Sequence, residues 1–252
     1  MEGEPLAGRH MIVVGGSAGI GQGIAVAWAD AGADVIVCSR TEPDGLRDKG
    51  IRWTHLDLAE TKAARDTLAA VAAGPLDAVC FSAVYYGAKR SNFREVAEQE
   101  WRRQLEVNTT GLWLTLSATL PALGAGTPGL FVGVSSEVAF NAGPGRSGYA
   151  ASKAAARALL DSVAQEEDGD QVCVVQVLPA GMVDSPGIRR RRPAGFDYSS
   201  YMRPDAFARL AVELAVTRGR DHHGDSLVVD GDGEWWSVDD RLPASQNRPV
   251  AS

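Results

Sequence analysis

The stretch Val14-Gly15-Gly16-Ser17-Ala18-Gly19-Ile20-Gly21 decides how the rest of the chain is read. It follows an apolar run at 11–14 and opens an amphipathic stretch at 19–31, which Gly32 stops. Glycines in that place permit a tight turn and let a pyrophosphate come close to the backbone. The start of a helix adds unpaired N–H groups and partial positive charge. A glycine cluster alone is weak evidence, because a tight strand-to-helix turn can need one with no ligand. Its weight comes from lying between the first strand and first helix of an alternating chain.

Working outward, β-rich runs at 34–38, 51–56, 78–82, 130–134, 172–178 and 226–229 alternate with helical patterns at 60–73, 101–123, 149–167 and 203–216. Gly111 and Pro121 interrupt the 101–123 pattern. The run at 172–178 is nearly continuous valine, as expected of a strand buried on both faces. This order predicts an α/β fold, a single-domain doubly wound parallel sheet (Rossmann-like) with helices on both faces. No linker or internal repeat breaks the 252 residues, and the tail after Trp236 is polar and expected to be loosely held.

Composition narrows the function. Hydrophobic residues at 45% and charged residues at 23% fit an ordinary globular protein. A net charge of −7 argues against a general binder of nucleic acid or anionic membrane, so local features must hold any polyphosphate. No stretch approaches the roughly 18 apolar residues that span a bilayer. The polar start at 1–10 is unlike a signal peptide, and a cytoplasmic protein is expected. Cys38, Cys80 and Cys173 each fall within a strand run and read as small buried hydrophobes. His10, His55, His222 and His223 show no metal-ligand spacing, so no metal is expected.

Tyr149 and Lys153, at i and i+4, share a helix face, where an ammonium would favour the phenolate and lower the tyrosine pKa. The pair is common by chance. Ser136 ends the strand run before it, and Asn108 lies in the long helical pattern.

Together these residues resemble the classical short-chain dehydrogenase/reductase family. Gly15, Gly19 and Gly21 match its Gly-x-x-x-Gly-x-Gly turn, and Asn108, Ser136, Tyr149 and Lys153 match its catalytic residues in order and spacing. Pro179, Gly181 and Val183 resemble its segment under the nicotinamide, and Val229-Asp230-Gly231 its closing Val-Asp-Gly, so the likeness spans about residues 8–233. The resemblance implies interconversion of a ketone and a secondary alcohol on a small molecule. Ser136 would orient the carbonyl and Tyr149 exchange the proton. Lys153 would lower the tyrosine pKa and hold the nicotinamide ribose, and Asn108 would support a proton-relay water. It also implies cofactor contacts from Gly15, Ser17, Gly19, Ile20, Gly21, Asp57, Leu58, Ser82, Ala83, Asn108, Tyr149 and Lys153. A homodimer or homotetramer through the helices at 101–123 and 149–167 is expected as well.

NAD-preferring relatives carry an acid where this chain has Ser39, and Arg40 follows, so NADP(H) is expected over NAD(H). The chain departs from the family pattern at Val14, where threonine is usual, and at Phe81-Ser82-Ala83-Val84, where Asn-Asn-Ala-Gly is usual. Tyr85, Tyr86, Phe140 and Met182 are candidate substrate contacts. The four arginines at 189–192 are either a solvated run or a clamp for an acidic substrate, and Trp235-Trp236 reads as subunit packing. Two other functions remain open: a non-catalytic NADP-binding sensor or scaffold, and an isomerase or dehydratase on the same fold.

Overall fold

A computed structural model describes residues 4–125 and 128–242. In chain order the elements are β1 (His10–Val14), α1 (Gly19–Asp30), β2 (Asp34–Ser39), β3 (Arg52–His55), α2 (Thr61–Val71), β4 (Ala78–Phe81), α3 (Glu98–Leu105) and α4 (Gly111–Leu123). Then follow β5 (Gly129–Val134), α5 (Val138–Asn141), α6 (Ser147–Glu166), β6 (Val172–Pro179), α7 (Pro186–Arg189), α8 (Ala208–Thr217), β7 (Ser226–Val229) and β8 (Trp235–Ser237).

The sheet runs β3-β2-β1-β4-β5-β6-β7-β8. All pairs are parallel except β7 with β8. Strand alternation builds two cores. Met11 and Val13 face one with Cys173, Val175 and Val177, beneath α1 and α8. Ile12 and Val14 face the other with Val172 and Val174, beneath α2, α4 and α6. Covering both faces is why the strands read as unbroken apolar runs. The three cysteines are buried and free, and burial pushes the Cys38 thiol up to about 12.

β1 pairs with β2 on one side and β4 on the other. The chain therefore winds outward in both directions from β1, and the loops at the strands' C-terminal ends part to leave a crevice.

Several elements differ from the sequence reading. The 101–123 pattern begins earlier, at Glu98, and is α3 and α4 joined through one π-helical turn (Glu106–Thr110). Pro121 sits within α4 without ending it. Part of the 203–216 pattern is a 3₁₀ turn (Pro204–Phe207) ahead of α8. Trp235 and Trp236 form the antiparallel edge strand β8, with Arg209 and Arg241 over their rings. Three residues are too few to show a period. Most of the tail expected after Trp236 falls at 243–252, outside the described residues. Among the described residues no helix is long and apolar enough to cross a membrane.

Trp28 ties the first layer together. Its side chain is fully buried and its Nε1 donates to the Ala211 carbonyl at 2.9 Å, docking α1 against α8. Trp28→Ala is expected to cost about 3–5 kcal/mol of folding free energy by leaving a cavity. Chemical denaturation measures it; a loss under about 1 kcal/mol would mean that the layer does not rest on this residue.

Candidate active site

One continuous cleft of about 1070 Å³ opens at the C-terminal ends of β1, β2, β4, β5 and β6. At its centre Gly15 has φ +86°, and a Cβ there would stand 2.3 Å from the Ala83 amide nitrogen. Gly21 is equally constrained, with Gly15 O at 2.6 Å and Ser82 Cβ at 2.8 Å from the same added atom. Ser82 N donates to Val14 O at 2.8 Å. The Phe81–Val84 stretch thus braces the glycine turn through its backbone, and the bare Gly21 leaves room for the Ser82 side chain. α1 has Ala18 as its N-cap, with no capping side chain and no acid in its first turn, leaving its first N–H groups facing the cleft. Such a turn fits a dinucleotide pyrophosphate. Ser17, Gly19 and Ile20 line the cleft; Gly21 is not among the lining residues and supports the turn from behind.

Ser39 and Arg40 both line the cleft, with Asp57 and Leu58 opposite. Ser39 is committed internally: its hydroxyl donates to Thr41 O at 2.8 Å and accepts from Trp53 Nε1 at 3.0 Å. Arg40 is exposed at the rim. Asp57 accepts the Ala59 N–H, which turns the chain into α2. Ser82, Ala83, Pro179, Gly181 and Val183 line the middle. Ser135 and Ser147 line the cleft too, and each keeps a buried hydroxyl with no hydrogen-bond partner. The residues present therefore fit a dinucleotide in the groove.

Ser136, Tyr149 and Lys153 come together at the floor. The start of α6 is set by Gly148, where a Cβ would meet Gln104 Oε1 at 2.0 Å. Gln104 in turn donates to the Tyr86 carbonyl at 2.9 Å, so α3, α6 and the loop after β4 lock at one point. Lys153 Nζ is buried and donates to Val134 O at 2.8 Å. Burial lowers its pKa from 10.5 to about 8. The Tyr149 hydroxyl shares a side-chain hydrogen bond with Ser136.

The expected depression of the tyrosine is not found. Burial, then Tyr86, hold Tyr149 well above the usual phenol range, with the Ser136 hydrogen bond and Arg146 opposing. Lys153 gives one of its N–H groups to Val134, and its charge is disfavoured by the same burial. Asn108 lies in the π turn, behind the cleft and fully buried. Its amide brackets Tyr85 through N–H to Oδ1 at 2.7 Å and Nδ2 to O at 3.0 Å, and donates to Ser152 Oγ at 2.9 Å. Its side chain is therefore spent on positioning. Single π turns inside α-helices are frequent at functional sites.

Of the substrate candidates, Tyr85, Tyr86 and Met182 line the cleft. The Tyr86 ring packs on the Tyr149 ring, centroids 5.1 Å apart. Tyr85 donates to Glu100 at 2.9 Å. Phe140 is not among the lining residues; its ring lies under the Arg157 guanidinium. The sequence reading missed Glu137, which is buried beside Ser136. Glu137 Oε2 accepts the Ser136 hydroxyl at 2.7 Å and Oε1 accepts Arg146 Nη1 at 2.8 Å. An acid directly after the candidate serine was the available signal. Among the described residues no cluster of metal-ligating side chains occurs.

The family model for short chain dehydrogenase matches residues 9–194. The chain belongs to that family. A relative from Pseudomonas aeruginosa, the rhamnolipids biosynthesis 3-oxoacyl-acyl-carrier-protein reductase, is 28% identical over 90% of this chain and 96% of its own. An uncharacterized oxidoreductase of Myxococcus xanthus is 32% identical over 70% of this chain and 73% of its own. The solved structure of a short-chain type dehydrogenase/reductase from Mycobacterium ulcerans has a TM-score of 0.77 at 25% identity and covers 90% of each chain. This short-chain dehydrogenase is accordingly an oxidoreductase acting on CH–OH groups with NAD(P).

Its buried lysine has a measurable signature. Folding takes Lys153 from 10.5 to about 8, so between those values the unfolded chain holds a proton that the folded chain has released. Stability therefore rises with pH across that window on this account, and the contribution is unfavourable below about 8. Wild type is expected to gain on Lys153→Met between pH 8 and 10.5 by about 1–3 kcal/mol of unfolding free energy. Tyr149 is present in both proteins. A difference that stays flat with pH contradicts the buried, depressed lysine.

Proposed function

We propose that this enzyme reduces a ketone to a secondary alcohol, or the reverse, with NADP(H), and that Tyr149 is the group exchanging the proton. The observation carrying the reading is the convergence of Tyr149, Ser136 and Lys153 on the floor of the cleft that also holds the glycine turn. The relative named for 3-oxoacyl reduction supports a ketone as the reacting group.

Bound in the groove, the dinucleotide supplies the hydride in reduction and accepts it in oxidation. Gly15, Ser17, Gly19 and Ile20 would hold the pyrophosphate, Asp57 and Leu58 would flank the adenine, and Pro179, Gly181 and Val183 would back the nicotinamide. In reduction, Tyr149 Oη gives its proton to the carbonyl oxygen as the carbon is reduced. Burial keeps Tyr149 protonated, which is the state an acid needs. Lys153, at about 8, lies close enough to neutrality to return a proton to the phenolate. The single Ser136 hydrogen points to Glu137, so the incoming carbonyl competes with that carboxylate for it.

Tyr149→Phe keeps the ring that Tyr86 packs on and removes the proton. General acid catalysis is worth about 10²- to 10⁴-fold, and kcat should fall by that much with NADPH affinity retained. Near-normal kcat would overturn the mechanism. Lys153→Met should be at least as damaging.

NADP preference rests on Arg40, since Ser39 is engaged elsewhere. NADPH should bind more tightly than NADH, and Arg40→Asp should shrink or reverse the gap. Fluorescence titration of both cofactors tests it; equal affinities in wild type remove the preference.

A further inference from the structure

The arginines at 189–192 do not share one environment. Arg189 is exposed and pairs with Asp184 at 2.6 Å. Arg192 donates to the Tyr201 hydroxyl through Nε at 3.0 Å and Nη2 at 2.9 Å. Arg191 turns inward, half-buried, with its guanidinium 5.5 Å from the centre of the Tyr86 ring. A solvated run would send all of them outward. Ser185 sets the phase, since its hydroxyl accepts from Ile188 N and starts α7.

Two more arginines reach the same end of the cleft from other segments: Arg90 from the loop after β4, and Arg146 from the residue before α6. Arg146 is committed to Glu137, both side chains being 9% exposed. Among the described residues, neither Arg90 nor Arg191 has a carboxylate at ion-pair distance. The acids at this end do not balance them. Glu137 is shared by Arg146 and Ser136, Glu100 holds Tyr85 and Ala88, and Glu95 is exposed. Burial, then Arg146, Arg192 and Arg191, lower the Arg90 pKa, with Glu137 opposing. A protein of net charge −7 has thus gathered mutually repelling cations at one end of its cleft.

We propose that Arg90 and Arg191 bind an oxyanion carried by the substrate itself, so that this enzyme acts on ketones or alcohols bearing a carboxylate or a phosphate. Guanidinium forks match both groups, and an anion offsets the repulsion that a neutral substrate leaves in place. The geometry also sets a length. Arg191 lies over Tyr86, and Tyr86 lies against Tyr149. Anion and reacting carbon therefore stand about one aromatic ring apart, as in short oxo acids and phosphorylated ketones.

The inference rests on the redox reading above, and the test separates the two. kcat/KM with NADPH is measured for 4-oxopentanoate against its methyl ester, and for dihydroxyacetone phosphate against dihydroxyacetone. The charged member of at least one pair should be preferred by about 10-fold or more. The pair that shows it identifies carboxylate or phosphate. Arg191→Gln should collapse the preference, chiefly through KM, and Arg191→Lys should keep part of it. Neutral members reduced as well as charged ones overturn the anion site while leaving the redox reading standing.

A binding arm covers compounds that are not turned over. Glutarate and phenyl phosphate are titrated by calorimetry into the protein saturated with NADP⁺, which fills the pyrophosphate groove. Wild type should bind one of them, and the Arg90→Gln/Arg191→Gln double variant about 10-fold more weakly or worse. Melting curves check that the variant is folded. Absence of binding by wild type, or equal binding by both proteins, overturns the proposal.

Discussion

Gly15 passes so close to Ala83 that no side chain fits between them, and the cleft is arranged around that contact. β1 and β4 are neighbours whose following loops part in opposite directions. The glycine lets the β1 loop cross the end of β4 without pushing it away. The same turn leaves the first N–H groups of α1 uncapped. Gly21 continues the constraint into the helix, where Ser82 packs against it. Ser82 fills the space that Gly21 leaves free, at one of the two positions where the family carries asparagine.

A second point of close approach, Gly148 against Gln104, fixes the reacting groups. Around it the polar side chains are spent on one another: Gln104 on Tyr86, Asn108 on Tyr85 and Ser152, Glu137 on Ser136 and Arg146. Buried polar groups with satisfied partners are rigid, and rigidity keeps Tyr149 and Lys153 in place. The cost is a lysine whose charge is disfavoured, an example of a site arranged for chemistry at the expense of stability.

Much of this was legible in the sequence. The unbroken valine run of β6, the strand-helix alternation and the glycine turn carry the parallel, doubly wound architecture, because each is a local pattern with a local cause. The Tyr149–Lys153 spacing placed both on one face of α6. Other features depend on what lies across space. Nothing in the chain says that Ser39 is held by Trp53 from the next strand, that Phe140 faces Arg157, or that Arg90 and Arg191 line one cleft. Proximity at i,i+4 alone gives the wrong direction for the Tyr149 shift, because burial is the larger effect here. The π turn around Asn108 has no sequence period to reveal it.

The two ends of the sheet carry a further consequence. β3 is four residues long and is held by Arg52, paired with Asp34 at 2.7 Å. β8 is three residues long and antiparallel, with the Arg209 and Arg241 guanidiniums over its tryptophan rings. Each border is short and set with charged side chains, so it offers a poor template for another chain's backbone. An eight-stranded sheet of valine-rich segments is the kind of composition that stacks edge to edge when exposed. Here the borders keep that material enclosed, and crowding of many copies meets charged fringes in place of open ladders.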